Sequence, residues 1–243
     1  MLGLAPLLAA AVPAALPALP PQGFAVERGD RVVLESRYGK RLATLGGFSL
    51  ELPAPPHRVV LRAAGGFRYR VDGRSRLIPL PPRKVGTPLE RAYRSACFFV
   101  TETGALPQIL MCPRAITWME TTYNARRILA GPQSRVGHWA WAELSPDRRT
   151  VLAQWSAECE TPIAFFVPVR RHHAKPVSGT NIVSAPESVG LGWLRGNRAV
   201  VHFPEGLCGG GLDVPGVYLV PVGGRPRLIV RTPRRSSVAM WGG

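Results

Sequence analysis

Two stretches of this chain repeat each other at an offset of 49 residues. Residues 145–159 (SPDRRTVLAQWSAEC) and 194–208 (LRGNRAVVHFPEGLC) align without a gap, so that Arg149 meets Arg198, Val151 meets Val200, Leu152 meets Val201 and Cys159 meets Cys208. Leu144 precedes the first stretch where Trp193 precedes the second. Each stretch reads as strand, tight polar turn, strand, with Pro-Asp-Arg at one turn and Arg-Gly-Asn at the other. A third strand follows each copy. Residues 164–169 (AFFVPV) match residues 217–222 (VYLVPV) at an offset of 53, and the second copy continues through Gly223-Gly224 into residues 227–232 (RLIVRT).

The same hairpin pattern recurs upstream. It appears in residues 97–112 (CFFVTETGALPQILMC), in 31–45 with a turn at Tyr38-Gly39-Lys40, and in 67–80 with a turn at Asp72-Gly73-Arg74. Residues 116–129 form another, turning near Asn124. Asp-Gly between strand-like runs is a strong hairpin signal. Gly and Pro together make up 51 of 243 residues. That density interrupts helices throughout and excludes a helical bundle or coiled coil. Residues 84–95 are the one helix candidate.

Hairpins recurring every 40–50 residues mark a β-propeller, in which four-stranded blades stack because a single blade cannot bury both of its faces. The expected fold is therefore all-β, a propeller-like array of about five blades in a single domain over residues 24–243. A β-sandwich of similar hairpins is the alternative. Residues 237–241 (SVAMW) read as one strand left over, and in a closed propeller such a strand completes the first blade and removes the open edges.

Residues 145–155 followed by 164–169, and 192–203 followed by 216–230, resemble TolB-type β-propeller repeats. That repeat has a Ser-Pro-Asp-Gly turn between strands, then an apolar strand, a Gly-Gly turn and a strand ending in Leu. Ser145, Pro146 and Asp147 match, while Arg148 stands in place of the glycine. The second copy keeps Trp193 and Gly223-Gly224 but has Leu194-Arg195-Gly196-Asn197 at the turn. The resemblance covers residues 139–232 most clearly and implies a propeller fold. The chain supplies fewer blades than that family's propellers carry.

Residues 1–26 carry no charge and are rich in Ala, Leu and Pro. Residues 2–15 fit the apolar region of a secretory leader, here assigned to residues 1–23. Prolines at 6, 13, 17, 20 and 21 oppose a continuous spanning helix. The expected location is secreted, cell-surface or periplasmic. Four cysteines follow the leader, and an even count in an exported chain reads as disulfides. Cys97 and Cys112 bracket one hairpin whose register places them opposite each other. Cys159 and Cys208 hold equivalent positions in adjacent repeats, so the expected pairs are Cys97–Cys112 and Cys159–Cys208.

There is no Gly-x-Ser-x-Gly elbow, no Cys-x-x-Cys pair and no phosphate loop around Gly209–Gly211. Of the five histidines, His172 and His173 are adjacent on an extended run and point to opposite faces, His202 sits on an apolar strand, and His57 and His138 carry no motif. Glu158, Glu160 and Glu205 read as solvated loop residues. The six tryptophans read as core between sheets, with Trp139 and Trp141 on one face of one strand. No catalytic residue, cofactor or metal is expected.

Net charge is +16, carried by 28 Arg and only three Lys, Lys40, Lys84 and Lys175. The arginines are scattered, a composition that a GC-rich genome also produces, and no block of five or six like charges occurs. The leading reading is a non-enzymatic exported propeller that binds a protein or cell-envelope partner. A hydrolase or lyase with its site at the channel mouth is a second reading. A polyanion-binding surface without specificity for nucleic acid is a third. Arginines gathered on one face would favour the third.

Overall fold

The structure, a computed structural model, describes residues 16–51, 56–72, 76–81, 97–100, 108–119, 126–133, 135, 137–157, 160–170, 174–177, 188–204, 214–234 and 236–242. Apart from one 3-10 turn at Ala64–Gly66, its regular elements are β-strands, and they form five four-stranded antiparallel sheets. The helix candidate at residues 84–95 lies outside the described residues. So do His172, His173, Glu158, Cys159, Glu205, Cys208 and Gly209–Gly211.

The chain divides into two compact units, one of residues 1–54, 58–83 and 236–242, the other of 55–57, 84–235 and 243. The first unit holds two sheets. One contains β1 (Gly23–Arg28), β2 (Arg31–Ser36) and β3 (Arg41–Gly46), with the C-terminal strand β20 (Val238–Trp241) on the far side of β1. The leftover strand is thus antiparallel to β1, with Ala25 opposite Ala239 and Gly23 opposite Trp241. The other sheet contains β4 (Phe48–Leu50), β5 (Val60–Ala63), β6 (Arg68–Asp72) and β7 (Arg76–Leu80). The strands of both upstream hairpins pair, with Gly73 and Arg74 of the second turn outside the described residues. At the β2–β3 turn Gly39 has φ 78°, and Ser36 Oγ accepts the N–H groups of Tyr38 and Lys40.

The core of this unit packs Ala25, Val32, Leu34 and Trp241 of the first sheet against Phe48, Leu61 and Val71 of the second. Leu16 is buried in the same cluster, and the Trp241 indole N–H donates to the Pro20 carbonyl at 3.0 Å. The end of the segment assigned as leader is therefore part of this core. Gly23 leaves the space that the Trp241 ring occupies, since a Cβ there would overlap the ring.

The second unit holds three sheets. The third sheet contains β8 (Phe98–Phe99), β9 (Gln108–Cys112), β10 (Ala115–Met119) and β11 (Arg126–Ala130). Phe98 faces Met111 and Phe99 faces Leu110, the register expected from the sequence. Cys97 and Cys112 are disulfide-bonded, as that register requires, with their Cα atoms 4.2 Å apart. The bond closes a separation of 15 residues. By loop entropy it stabilises the fold by about 3 kcal/mol. Reduction is expected to lower the melting temperature by roughly 6–12 °C, and differential scanning calorimetry with and without dithiothreitol measures this.

The fourth sheet contains β12 (His138–Leu144), β13 (Thr150–Ala157), β14 (Glu160–Pro168) and β15 (Lys175–Pro176), and the fifth contains β16 (Val189–Leu194), β17 (Arg198–Phe203), β18 (Gly216–Pro221) and β19 (Arg227–Arg231). The middle strands are buried on both faces, as unbroken apolar runs require. On β13, Val151, Ala153 and Trp155 pack toward the third sheet, with Ile109 and Ile116. Leu152, on the opposite face, packs with Trp193, Val201 and Phe203 of the fifth sheet.

These faces correct the repeat alignment. Leu144 is paired with Val151 and Trp193 with Ala199, while Val167 faces Val151 and Val220 faces Ala199. The counterpart of Val151 is therefore Ala199 and not Val200. The turn of the second copy is one residue shorter, so the offset is 49 on the first strand, 48 on the second and 53 on the third. An ungapped alignment slips the second strand by one residue, and in a strand that exchanges its two faces. With the slip removed, buried Gln154 becomes the counterpart of buried His202.

Trp139 and Trp141 also depart from expectation. A register shift lies between them, so Trp139 packs with Trp155 toward the third sheet and Trp141 toward the fifth. A bulge inserts one extra residue and turns the following side chain to the other face. Gly190 makes room for the Trp141 ring, which a Cβ there would meet at 2.6 Å.

At the β12–β13 turn, Ser145 Oγ accepts the N–H groups of Arg149 and Thr150 and donates to Asp147 Oδ1 at 2.6 Å. Arg148 has φ 59°, in the left-handed region that glycine adopts freely and arginine does not. This is the position at which the TolB-type turn has its glycine. Arg148→Gly is expected to raise stability by about 0.5–1 kcal/mol, read as a melting shift of roughly 1–4 °C.

Candidate functional site

The second unit brings together one constellation that no sequence motif marks. Glu143, on β12, reaches across to β16. Its Oε1 lies 2.7 Å from His57 Nε2, and its Oε2 accepts the Trp193 N–H at 3.3 Å. The Glu143 backbone carbonyl accepts the Trp193 indole N–H at 3.0 Å. His57 and Glu143 are each about a quarter exposed, 24% and 26%.

Two backbone features build this cluster. His57 has φ 60°, a conformation that costs a non-glycine residue of order 1 kcal/mol or more and persists only where its surroundings impose it. Gly192 has φ 132°, and a Cβ there would lie 2.7 Å from His57 Nε2 and 3.0 Å from Glu143 Oε2. The glycine thus gives the imidazole and carboxylate their space. An imidazole held by a carboxylate has a fixed tautomer and orientation, and such a pair can accept or deliver a proton. It also clamps residue 57 onto β12 and β16. His57 and Glu143 are 86 residues apart, so spacing gives no hint of the pair.

A second polar cluster ties the fourth sheet to the start of β16. Gln154 Oε1 accepts the Gly190 N–H at 2.9 Å, and its Nε2 donates to the carbonyls of Trp155 and Ser188. Ser188 Oγ accepts the Ala164 N–H. In the fifth sheet His202 holds the equivalent place, buried, with Nε2 3.3 Å from Thr232 Oγ1. Burial alone pushes its pKa down to about 3, so the ring is neutral at pH 7.

His138 is exposed at the start of β12 and joins neither cluster. Trp139, Trp141, Trp155, Trp193 and Trp241 are buried, as core tryptophans should be, and Trp118 is half-buried against the core between the third and fourth sheets. Among the described residues no three His, Cys, Asp or Glu side chains are grouped so as to hold a metal ion, and no helix is long and apolar enough to cross a membrane. No protein-family model matches the chain, and no curated protein proved similar to it. The disulfide points to an oxidising compartment.

Proposed function

We propose that the chain is an exported β-propeller of the TolB type, one domain of five four-stranded blades that serves as a binding or scaffold module. The observation that carries this reading is the pairing of β20 with β1, which makes the first sheet from both ends of the sequence. A ring joined in this way leaves no open sheet edge between its first and last blades. The burial of both faces of the fourth sheet between its neighbours supports the same reading. Export is supported by the apolar N-terminal segment and the disulfide. Because Leu16 and Leu19 pack in the core of the first unit, the removable leader ends before Leu16.

The His57–Glu143 pair favours a second reading, a hydrolase or lyase that uses the imidazole as its acid or base. One experiment separates the two. Residues 1–15 are fused to a phosphatase that is active only after export, and the full chain is assayed against ester, glycoside and phosphoester substrates. Exported phosphatase and no turnover support the binding module. Absence of export overturns the first reading. Turnover abolished by His57→Ala replaces it with the second.

A further inference from the structure

The arginines that look scattered in sequence are gathered by the fold. In an antiparallel sheet the turns between first and second strands and between third and fourth strands lie at the same end. At that end of the fourth sheet stand Arg149 and Arg170, and at that end of the fifth stand Arg195, Arg198, Arg225 and Arg227, all exposed. The two sheets present these ends side by side, because the Asp147 N–H in one turn donates to Asn197 Oδ1 in the other at 2.9 Å. Asp147 is the one acidic residue among the described residues of these turns, and its Oδ1 is already held by Ser145 and by the Arg149 N–H. None of the six arginines forms an ion pair among the described residues.

We propose that this arginine-lined end of the fourth and fifth sheets docks on an anionic phospholipid surface. The guanidinium fork matches phosphate oxygens two at a time. Val222, 46% exposed, belongs to the β18–β19 turn and adds an apolar contact. The described exposed aromatic side chains, Tyr38, Phe67 and Phe99, lie outside these turns, so the patch lacks the stacking platform that single-stranded nucleic acid uses. The disulfide places the chain where lipid headgroups, and not nucleic acid, are the abundant phosphates. The inference rests on export and on the two sheets, and is independent of whether the five sheets close into a ring.

The test is co-sedimentation of the oxidised full chain with vesicles of phosphatidylglycerol and phosphatidylcholine, mixed or of phosphatidylcholine alone. The neutral vesicles report any contribution of the apolar N-terminal segment. Binding is expected to require phosphatidylglycerol and to fall as salt rises. Each arginine near a charged surface strengthens binding roughly fivefold, so R195E/R225E is expected to weaken it by at least about tenfold. R70E/R135E, an equal change of charge at exposed positions elsewhere, is expected to leave most of it. Equal binding to neutral vesicles, an equal loss in both variants, or tighter binding to duplex DNA at the same salt would each overturn the proposal. Circular dichroism melts of both variants confirm that binding is read on folded protein.

Discussion

Removal of residues 236–243 is expected to unfold the first unit. All four residues of β20 are buried, and the strand supplies the hydrogen-bonding partner of β1 from Gly23 to Val26. Loss of the strand leaves β1 with an open edge and takes away the Trp241 ring, which fills the space beside Gly23. Trp241→Ala alone is expected to cost about 3–5 kcal/mol, because a fully buried tryptophan leaves a large cavity. A melting temperature lower by roughly 6–20 °C is the expected reading for the point variant. For the deletion, whose cost is comparable with the whole stability of a domain, the cooperative transition is expected to be lost. Limited proteolysis followed by mass spectrometry should cut the deleted chain within residues 24–46. An unchanged melting profile would mean that β20 does not belong to this sheet.

Acid is expected to destabilise the fold through His202. Its folded pKa is about 3, against about 6.5 in the unfolded chain, so the unfolded chain takes up the proton first. Stability from this group is complete above pH 6.5 and is lost as pH falls from 6.5 toward 3, by about 1.4 kcal/mol per unit. Over the whole interval the loss is on the order of 4–5 kcal/mol. Urea titrations between pH 7 and pH 4 read it directly. His202→Gln places at this position the side chain that its counterpart in the fourth sheet already has, Gln154. That variant is expected to remain folded and to lose most of the slope below pH 6.5. An identical slope in the variant would assign acid sensitivity elsewhere.

The hairpins were legible in the sequence because strands alternate and turns use a small set of residues. The strand runs at 31–45, 67–80 and 116–129 pair as antiparallel hairpins, while the turns read at Gly73-Arg74 and near Asn124 lie outside the described residues. The Cys97–Cys112 pair followed from register alone. What the sequence hid were single-residue events. A turn shorter by one residue moved Ala199, not Val200, to the position of Val151, and a bulge after Trp139 sent Trp141 to the opposite face. Both leave composition and periodicity almost unchanged while exchanging the faces of a strand. The His57–Glu143 pair was hidden for another reason, since its members meet only through folding. The glycine that makes room for it, Gly192, carries a trace of the site, but a glycine in a strand signals a close approach without naming what approaches.

The proposed closure of the five sheets into a ring is tested by small-angle X-ray scattering of the oxidised chain lacking residues 1–15. A closed single domain of about 230 residues has a radius of gyration of roughly 17 Å, and its pair-distance distribution has one symmetric maximum. That is the predicted result. A radius above roughly 22 Å, with a shoulder at long distances, would show two separate units and contradict the ring.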